Sequence, residues 1–309
     1  MRRKLGIVGA GAVGTAAAHW AVVKGVAEEV VLVDIVEGLA RGKALDIAQS
    51  APVYGFSTKI YGTEDWAALR NADVVIITAG RPRKPGMSRD DLLQVNLEIV
   101  KSCVEKIVSE APEACLIVIT NPIDAMVYTA YKVSGFPRNR VLGMAGVLDS
   151  ARYRYFLAEA LGVSPKDVQA LVMGIHGDNM LPLIRLANVA GVPVQDLLPK
   201  EKLQEIVERT RKGGAEIVSY LKTGSAFTTP GLAAIEMAGS ILRDEKRVLT
   251  CSVWLEGEFG FSEVFIGVPV VLGAGGLERI LEFPLTEEER SALAQSVEAV
   301  RIQMAKTGL

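Results

Sequence analysis

Residues 5–14, LGIVGAGAVG, form the stretch of sequence that decides the fold. The apolar run at 5–8 is typical of a buried strand, and a G-x-G-x-x-G pattern follows it at once and opens a helix-like segment over 12–24. In this motif Gly9, Gly11 and Gly14 serve a tight turn, close approach of the backbone to a pyrophosphate, and close packing of the helix on the sheet. The helix N-terminus offers free N–H groups and a favourable dipole to an anion. The stretch therefore predicts a dinucleotide-binding β-α-β unit.

An acidic residue stands at the position where such a unit uses one. A second apolar run, VVLV at 30–33, ends in Asp34, twenty residues after Gly14 (34 − 14 = 20). There a carboxylate accepts hydrogen bonds from the ribose diol of NAD and repels the 2′-phosphate of NADP. The alternative interpretation is an ordinary βα turn with an aspartate at a strand end. The agreement in order and spacing favours a cofactor site and predicts NAD as the cofactor.

The first half of the chain alternates strands with helices. Further continuous apolar runs, VVII at 74–77 and LIVI at 116–119, are typical of strands that are covered on both faces in a parallel sheet. A helix-like segment at 91–109 separates these two runs. The alternation predicts an α/β fold with a Rossmann-type doubly wound parallel sheet.

The pattern changes after residue 143. Three long amphipathic segments and two valine-rich strand candidates follow, at 149–161, 200–221, 287–305, 248–254 and 264–272. No linker rich in serine or glycine separates the halves, so we expect them to pack closely. We predict an NAD-binding Rossmann domain over 1–147 and an α+β substrate domain over 148–309.

Composition excludes several classes of protein. The chain has 309 residues, 50% of them hydrophobic, which is enough for a core without disulfide or metal support. Its 34 Lys and Arg oppose 36 Asp and Glu, so we expect neither nucleic acid nor an anionic membrane as a partner. Cys103, Cys115 and Cys251 lie far apart without C-x-x-C spacing. This argues against a disulfide framework and a zinc site, predicts no metal, and favours a reducing compartment, the cytoplasm.

The N-terminus has some features of a targeting signal. Four residues that include three basic side chains precede an uncharged stretch at 5–23, which contains the small residues 16–18. Four glycines, Thr15 and His19 interrupt that stretch, and its removal would delete the β-α-β unit. We expect it to be part of the fold, with His19 packed on a helix face and no chemistry assigned to it. No stretch reaches the length of about 18 apolar residues that predicts a membrane span.

A histidine lies between glycines in the second half. The chain has two histidines, and His176 occurs in GIHGD at 174–178. Imidazole titrates near neutral pH and suits the uptake and return of a proton, which oxidation of an alcohol by a dinucleotide requires. The alternative is a structural histidine, the commoner role of a lone histidine.

A carboxylate and a guanidinium share one face of a predicted helix. Asp149 and Arg152 are spaced i, i+3, and the ordinary interpretation is a solvent-facing ion pair. The functional interpretation gives the carboxylate to a histidine, whose tautomer it fixes, and Arg152 to a substrate carboxylate as a bidentate partner. Asp178 competes for the histidine because it is near in sequence, and spacing does not choose between the two.

A cationic segment follows the strand at 74–77. Residues 81–89, RPRKPGMSR, come after Thr78-Ala79-Gly80, and loops at the carboxyl ends of parallel strands line the ligand crevice. Four cations in one segment suggest a lid that closes on an anionic substrate and excludes water, the alternative being a solvated basic loop. Asn121 in TNP at 120–122 closes another strand at the same edge, where its amide suits a substrate oxygen or an ordinary turn.

Together these motifs resemble the malate/lactate dehydrogenase family, and within it the lactate-dehydrogenase-like malate dehydrogenases. The resemblance runs through nearly the whole chain in the motifs GAGAVG, VLVD, TAGRPRKPGMSRDDLL, TNPID, GVLDSARYR, GIHGD and FIGVPVVLGAGGLERI. Each motif is modest support by itself, and their order and spacing together are specific. One departure is Ile175, where family members often have glycine.

The resemblance implies roles for individual residues. His176 would be the proton acceptor, Asp149 its partner and Arg152 the partner of the substrate C1 carboxylate. Arg89 would polarise the C2 oxygen, and Arg83 would set specificity, because lactate-type relatives typically have glutamine there. Asn121 would lie at the substrate and nicotinamide end. The predicted cofactor-binding residues are Gly9, Gly11, Ala12, Val13, Gly14, Asp34, Thr78, Ala79, Gly80, Asn96, Ile119 and Asn121.

The activity implied is reversible NAD-dependent oxidation of (S)-malate to oxaloacetate. The alternatives are a lactate or broad 2-hydroxyacid dehydrogenase, against which Arg83 argues, and a non-catalytic NAD-sensing module. The resemblance further implies a dicarboxylate substrate and a homo-dimer or homo-tetramer, with the small residues 16–18 as a candidate interface.

Overall fold

The computed structural model describes residues 3–82 and 89–309. Its strands are Lys4–Val8 (β1), Glu29–Val33 (β2), Lys59–Thr63 (β3), Val74–Ile77 (β4), Cys115–Val118 (β5), Val141–Gly143 (β6), Val168–Gln169 (β7), Val172–Met173 (β8), Leu181–Pro182 (β9), Asn188–Val189 (β10), Val192–Pro193 (β11), Arg247–Glu256 (β12), Ser262–Gly273 (β13) and Gly276–Ile280 (β14). Its helices are Ala12–Val23 (α1), Leu39–Gln49 (α2), Ala51–Tyr54 (α3), Arg89–Glu110 (α4), Ile123–Ser134 (α5), Gly146–Leu161 (α6), Val194–Leu197 (α7), Lys200–Leu221 (α8), Thr228–Leu242 (α9) and Glu287–Ala305 (α10). The helices and strands predicted above are present within a few residues of the expected bounds.

The main sheet has nine strands within the described part of the chain, in the order β14-β13-β12-β6-β5-β4-β1-β2-β3. Strands β1 to β6 pair in parallel and follow the order of a doubly wound sheet. Their continuous apolar runs are explained by burial on both faces, since Ile7, Ile76 and Ile117 are all inaccessible to solvent. The prediction of a Rossmann-type α/β fold is confirmed.

The second half of the chain adds antiparallel strands to the same sheet. β12 and β13 form a long hairpin, and β12 joins β6 where Ser252 pairs with Gly143. A Cβ at Gly143 would lie 2.9 Å from the Cβ of Ser252, so this junction needs a glycine. The α+β character of the second half is confirmed, and the hairpin makes it continuous with the first sheet. The predicted boundary at residue 147 falls in the first turn of α6.

The small residues of α1 pack inside the chain. Ala17 and Ala18 are fully buried, and α9 lies so close that a Cβ at Gly231 would be 2.8 Å from the amide nitrogen of Ala17. The interpretation of 16–18 as a subunit interface is therefore wrong, because α9, which the sequence pattern did not reveal, covers them. His19 on the same helix is exposed, and its ring makes an edge-on contact with Trp20, with 5.5 Å between the ring centroids.

The carboxyl ends of β1 and β4 meet where the strand order reverses. Ligands of open α/β sheets bind in the crevice at this point. The glycine loop, residues 9–14, follows β1. Residues 78–80 follow β4 and residues 119–122 follow β5, so three predicted site segments share this edge. No helix in the described ranges has the length and apolar character that a membrane span requires.

Candidate active site

The glycine loop forms a cradle without side chains. A Cβ at Gly14 would lie 1.8 Å from the carbonyl oxygen of Gly9, and one at Gly9 would lie 2.6 Å from the Thr78 hydroxyl oxygen. The hydroxyl of Thr78 lies 3.1 Å from the carbonyl oxygen of Val8 and 3.0 Å from that of Gly9, and its hydrogen bonds tie β4 to the loop. The N-cap of α1 is Gly11, which has no side chain that could accept hydrogen bonds from the first-turn N–H groups. These features fit the pyrophosphate of a dinucleotide.

Asp34 is tied to the same loop. One carboxylate oxygen accepts a hydrogen bond from the amide of Ala10 at 2.6 Å, and the other accepts from the amide of Val36 at 2.9 Å. Each carboxylate oxygen has a second lone pair, so both retain acceptor capacity. The half-buried carboxylate at the end of β2 can therefore bind a ribose diol beside the cradle.

Asn96 of α4 joins two of the loops. Its side chain, 1% exposed, accepts from the amide of Arg81 at 2.7 Å and donates to the carbonyl oxygen of Asn121 at 2.7 Å. The carbonyl oxygen of Ala79 accepts from the Thr120 hydroxyl at 2.7 Å. The amide of Asn96 thus holds the segment after β4 against the segment after β5, a role that the sequence interpretation as a cofactor contact did not include.

A cleft of about 730 Å³ brings together residues from both halves of the chain. Of the described residues predicted for the site, those that line it are Gly11, Ala12, Val13, Gly14, Thr78, Gly80, Asn96, Ile119, Asn121, Arg152 and His176. Gly9, Asp34, Ala79 and Asp149 do not line it. The predictions for Arg83 and for the side chain of Arg89 lie outside the described residues.

His176 and Asp149 are in direct contact. The imidazole Nδ1 lies 2.8 Å from a carboxylate oxygen of Asp149, which is 1% exposed in the first turn of α6. α6 comes this close because Gly146 has no side chain: a Cβ there would lie 2.6 Å from the carbonyl oxygen of Val172. Asp178, the competing partner by sequence, is exposed. The contact favours the Nδ1–H tautomer, which leaves Nε2 as a proton acceptor.

The charge of Asp149 governs the titration of His176. Burial of the imidazole lowers the pKa of His176, but the charge and hydrogen bond of Asp149 outweigh that effect, so the pKa lies above its ordinary value. Arg152 opposes the increase with its positive charge. The arrangement therefore favours an imidazole that readily accepts a proton.

Arg152 extends along α6 into the cleft. Its guanidinium lies 3.3 Å from the second oxygen of Asp149, and its side chain is 14% exposed. Gly213 and Gly214 of α8 give it room, since a Cβ at Gly213 would lie 3.2 Å from the Cδ of Arg152. The interpretation as a solvent-facing ion pair is wrong because the carboxylate is buried. The guanidinium can bind an anionic group in the cleft.

Asp124 is a buried carboxylate that the sequence analysis missed. It is 2% exposed in the first turn of α5, accepts from the backbone N–H of His176 at 3.2 Å, and accepts from the Ser252 hydroxyl at 2.8 Å. Burial raises the pKa of the Asp124 carboxyl above its ordinary value. The TNPID motif contains this aspartate, but a sequence does not show that it is buried.

The family models match both halves of the chain. The model of the lactate/malate dehydrogenase NAD-binding domain matches residues 3–143, and that of the lactate/malate dehydrogenase alpha/beta C-terminal domain matches residues 146–307. The chain belongs to the lactate/malate dehydrogenase family. As a member of this family it is an NAD-dependent oxidoreductase, and NAD is its cofactor.

Other members of the family are similar over their whole length. A malate dehydrogenase of Roseiflexus castenholzii is 53% identical, with 99% of this chain and 98% of the relative covered. The crystal structure of malate dehydrogenase from Cryptosporidium parvum has a TM-score of 0.97 at 44% identity and covers 100% of this chain and 99% of that one. A lactate dehydrogenase from the same organism, complexed with lactic acid and β-nicotinamide adenine dinucleotide, has a TM-score of 0.96 at 42% identity, with 100% and 98% covered. The similarity therefore extends to both malate and lactate dehydrogenases of the family.

Proposed function

We propose that the chain catalyses the reversible NAD-dependent oxidation of (S)-malate to oxaloacetate. The observation that carries the proposal is the contact of His176 with the buried Asp149, beside Arg152, in a cleft that the glycine loop also lines. The malate dehydrogenase relatives support the substrate. An NAD-sensing module without activity would not need a base and an anion-binding arginine in one cleft.

His176 would move the proton of the reaction. Asp149 holds Nδ1, so Nε2 would accept the C2 hydroxyl proton of malate, and the carboxylate would stabilise the imidazolium that forms. The glycine loop and Asp34 would hold NAD, which would supply the acceptor for the hydride of C2. In the reverse direction the imidazolium would donate a hydrogen bond to the oxaloacetate carbonyl and return the proton.

Arginines would bind the substrate. We propose that Arg152 holds the C1 carboxylate through two hydrogen bonds, that Arg83 binds the distal carboxylate, and that Arg89 polarises the C2 oxygen. Asn121, which lines the cleft, would lie at the substrate and nicotinamide end. Exclusion of water would strengthen each of these charge interactions.

We also propose the organisation of the protein. The transition between the two family models at residues 143–146 supports an NAD-binding domain over 1–147 and a substrate domain over 148–309. Exposed apolar side chains on α2 and α3, Leu45, Val53 and Tyr54, support a homo-dimer or homo-tetramer. The free and buried state of the three cysteines suits the reducing cytoplasm.

Reduction of oxaloacetate and of pyruvate by NADH separates the proposal from its alternative, a lactate dehydrogenase. We expect kcat/KM for oxaloacetate to exceed that for pyruvate by about ten- to a hundred-fold or more, because one hydrogen-bonded charge pair contributes roughly 1.5–3 kcal/mol. The decrease in NADH absorbance measures both rates. A preference for pyruvate would assign lactate dehydrogenation, and no turnover of either substrate would favour the NAD-sensing module.

Arg83→Gln should shift the preference from oxaloacetate toward pyruvate. The distal carboxylate would lose a cationic partner, so kcat/KM for oxaloacetate should decrease by about ten- to a hundred-fold or more. Lys84→Gln removes a neighbouring cation from the same segment and is the matched control. An unchanged oxaloacetate-to-pyruvate ratio in Arg83→Gln would exclude Arg83 from specificity.

Asp34→Ser should relax the preference for NADH over NADPH. The substitution removes the charge that repels a 2′-phosphate and weakens the binding of the ribose diol, so the ratio of the two kcat/KM values should change by about tenfold or more. Asp46→Ser on the exposed face of α2 removes the same charge elsewhere and should leave the ratio unchanged. Equal use of NADPH and NADH by the parent protein would show that the role given to Asp34 is wrong.

A further inference from the structure

The loop at 174–179, which carries His176, is attached at its start to β13. Gly174 and Gly267 exchange two backbone hydrogen bonds, of 2.9 Å and 3.1 Å. Gly174 has a φ of +88°, a backbone conformation that residues with a side chain rarely adopt. This turn therefore requires a glycine before Ile175. The chain therefore leaves the sheet at a defined angle just before the histidine.

A single hydroxyl from the C-terminal helix spans the rest of this loop. Ser296 of α10 is fully buried, accepts a hydrogen bond from the amide of Ile175 at 3.1 Å, and donates one to the carbonyl oxygen of Asn179 at 2.6 Å. The Ser296 hydroxyl is closely packed against Gly174, since a Cβ at Gly174 would lie 2.5 Å from the Ser296 oxygen. One side chain thus joins the residues that flank His176 on both sides.

We propose that Ser296 is a positioning residue for His176: it holds the loop so that the imidazole meets Asp149 and faces the cleft. The inference rests on the proposed function, because it adds a residue to the same site. Ser296 touches the loop backbone and not the imidazole, so its effect reaches the proton through His176. Asp124 holds the His176 amide from the opposite element, α5, at 3.2 Å.

Loss of the Ser296 hydroxyl should displace the loop at 174–179 without unfolding the protein. In Ser296→Ala the amide of Ile175 and the carbonyl oxygen of Asn179 lose their shared partner inside the protein, and the loop must shift to satisfy them. A displacement of about 1 Å at a catalytic group costs on the order of a hundred-fold in rate. We therefore expect kcat to decrease by about ten- to a hundred-fold, with little change in NADH binding, because the glycine loop belongs to other elements.

Ser240→Ala is a matched control within the same chain. Ser240 of α9 is also fully buried, donates to the carbonyl oxygen of Leu272 at 2.8 Å, and accepts from the amide of Arg247 at 3.2 Å, but both partners belong to the β12–β13 hairpin and not to the loop of His176. The two variants should lose a similar amount of thermal stability. Only Ser296→Ala should lose turnover.

Nuclear magnetic resonance of the histidines gives a readout that needs no activity. The chain has two histidines, so selective ¹³C labelling yields one signal from His176 and one from the exposed His19 as an internal reference. The described charged groups that act on His176 are Asp149 and Arg152 of α6 and Asp124 of α5. If the imidazole of His176 moves away from Asp149, its titration midpoint should fall in Ser296→Ala.

The outcomes are distinct. A lower kcat together with a lower His176 midpoint in Ser296→Ala, but not in Ser240→Ala, supports the proposal. An unchanged midpoint, or equal kcat losses in both variants, overturns it. If Ser296→Ala does not fold, Ser296→Cys, which places a weaker donor and acceptor on a slightly larger atom, should lower kcat and the His176 midpoint in the same direction, and parental values would overturn the proposal. A parent protein without activity would refute the proposed function alone, since the titration is measured independently.

Discussion

His176→Asn should lower turnover in both directions by at least about a hundred- to ten-thousand-fold, the range of general acid–base catalysis. Asparagine can still form a hydrogen bond, but it cannot carry the proton that the reaction removes from malate and returns to oxaloacetate. NADH binding should be preserved, because the proposed cofactor contacts come from the glycine loop and Asp34. Stopped-flow measurement of hydride transfer, with NADH binding followed separately, tests both parts.

The pH dependence of the parent enzyme completes this test. Oxidation of malate needs neutral imidazole, so its rate should increase with pH through the pKa of His176; reduction of oxaloacetate needs imidazolium and should decrease over the same interval. Since Asp149 raises the pKa of His176, both transitions should lie above the ordinary histidine range. A variant that binds NADH normally and transfers hydride at the parental rate would exclude His176 as the base. Parallel pH profiles in the two directions would exclude it as well.

Arg152→Gln should lower kcat/KM for oxaloacetate by about a hundred- to ten-thousand-fold. The C1 carboxylate would lose two charge-assisted hydrogen bonds, each of which contributes roughly 1.5–3 kcal/mol. The substitution also removes the partner 3.3 Å from Asp149, so part of the loss should appear in kcat rather than KM. Steady-state kinetics with varied oxaloacetate separate the two parameters.

Arg154→Gln is the matched control for this prediction. Arg154 lies on the same helix, but its guanidinium donates to the carbonyl oxygen of Val168 at 2.7 Å. It is not one of the described residues that line the cleft. Its loss should reduce stability slightly and leave kcat/KM near the parental value. Equal effects in the two variants would show that the charge of α6, and not a substrate contact of Arg152, sets the rate.

Local chemistry explains how much of the first half could be predicted. The runs at 5–8, 30–33, 74–77 and 116–119 are apolar because both faces of a parallel sheet are covered. Their consecutive apolar residues are therefore enough to predict the strands. The glycine pattern is equally local, since a Cβ at Gly14 would overlap the carbonyl oxygen of Gly9 only five residues before it. Features set by contacts within one or two neighbouring elements leave a readable pattern in the residues themselves.

The partners of polar side chains left no such pattern. Asp178 lies two residues from His176 and Asp149 lies 27 away, yet the distant carboxylate contacts the imidazole. Asp124 bonds to Ser252 across 128 positions, and Ser296 bonds to Ile175 across 121. In the sequence these are ordinary polar residues, typical of a helix start or a surface.

The sequence therefore established the parallel sheet, the cofactor loop and the family resemblance, all of which rest on residue types at short, regular spacing. Spacing along the chain left the partner of His176 open between Asp149 and Asp178, and only the family resemblance favoured Asp149, which the tertiary structure places in contact with the imidazole. Tertiary structure alone decided which buried groups hold the loop of His176, and that α9 covers the alanines of α1. The physical reason is burial. A polar group in the interior must find a partner, and which partner it meets depends on how distant segments pack, not on its neighbours along the chain.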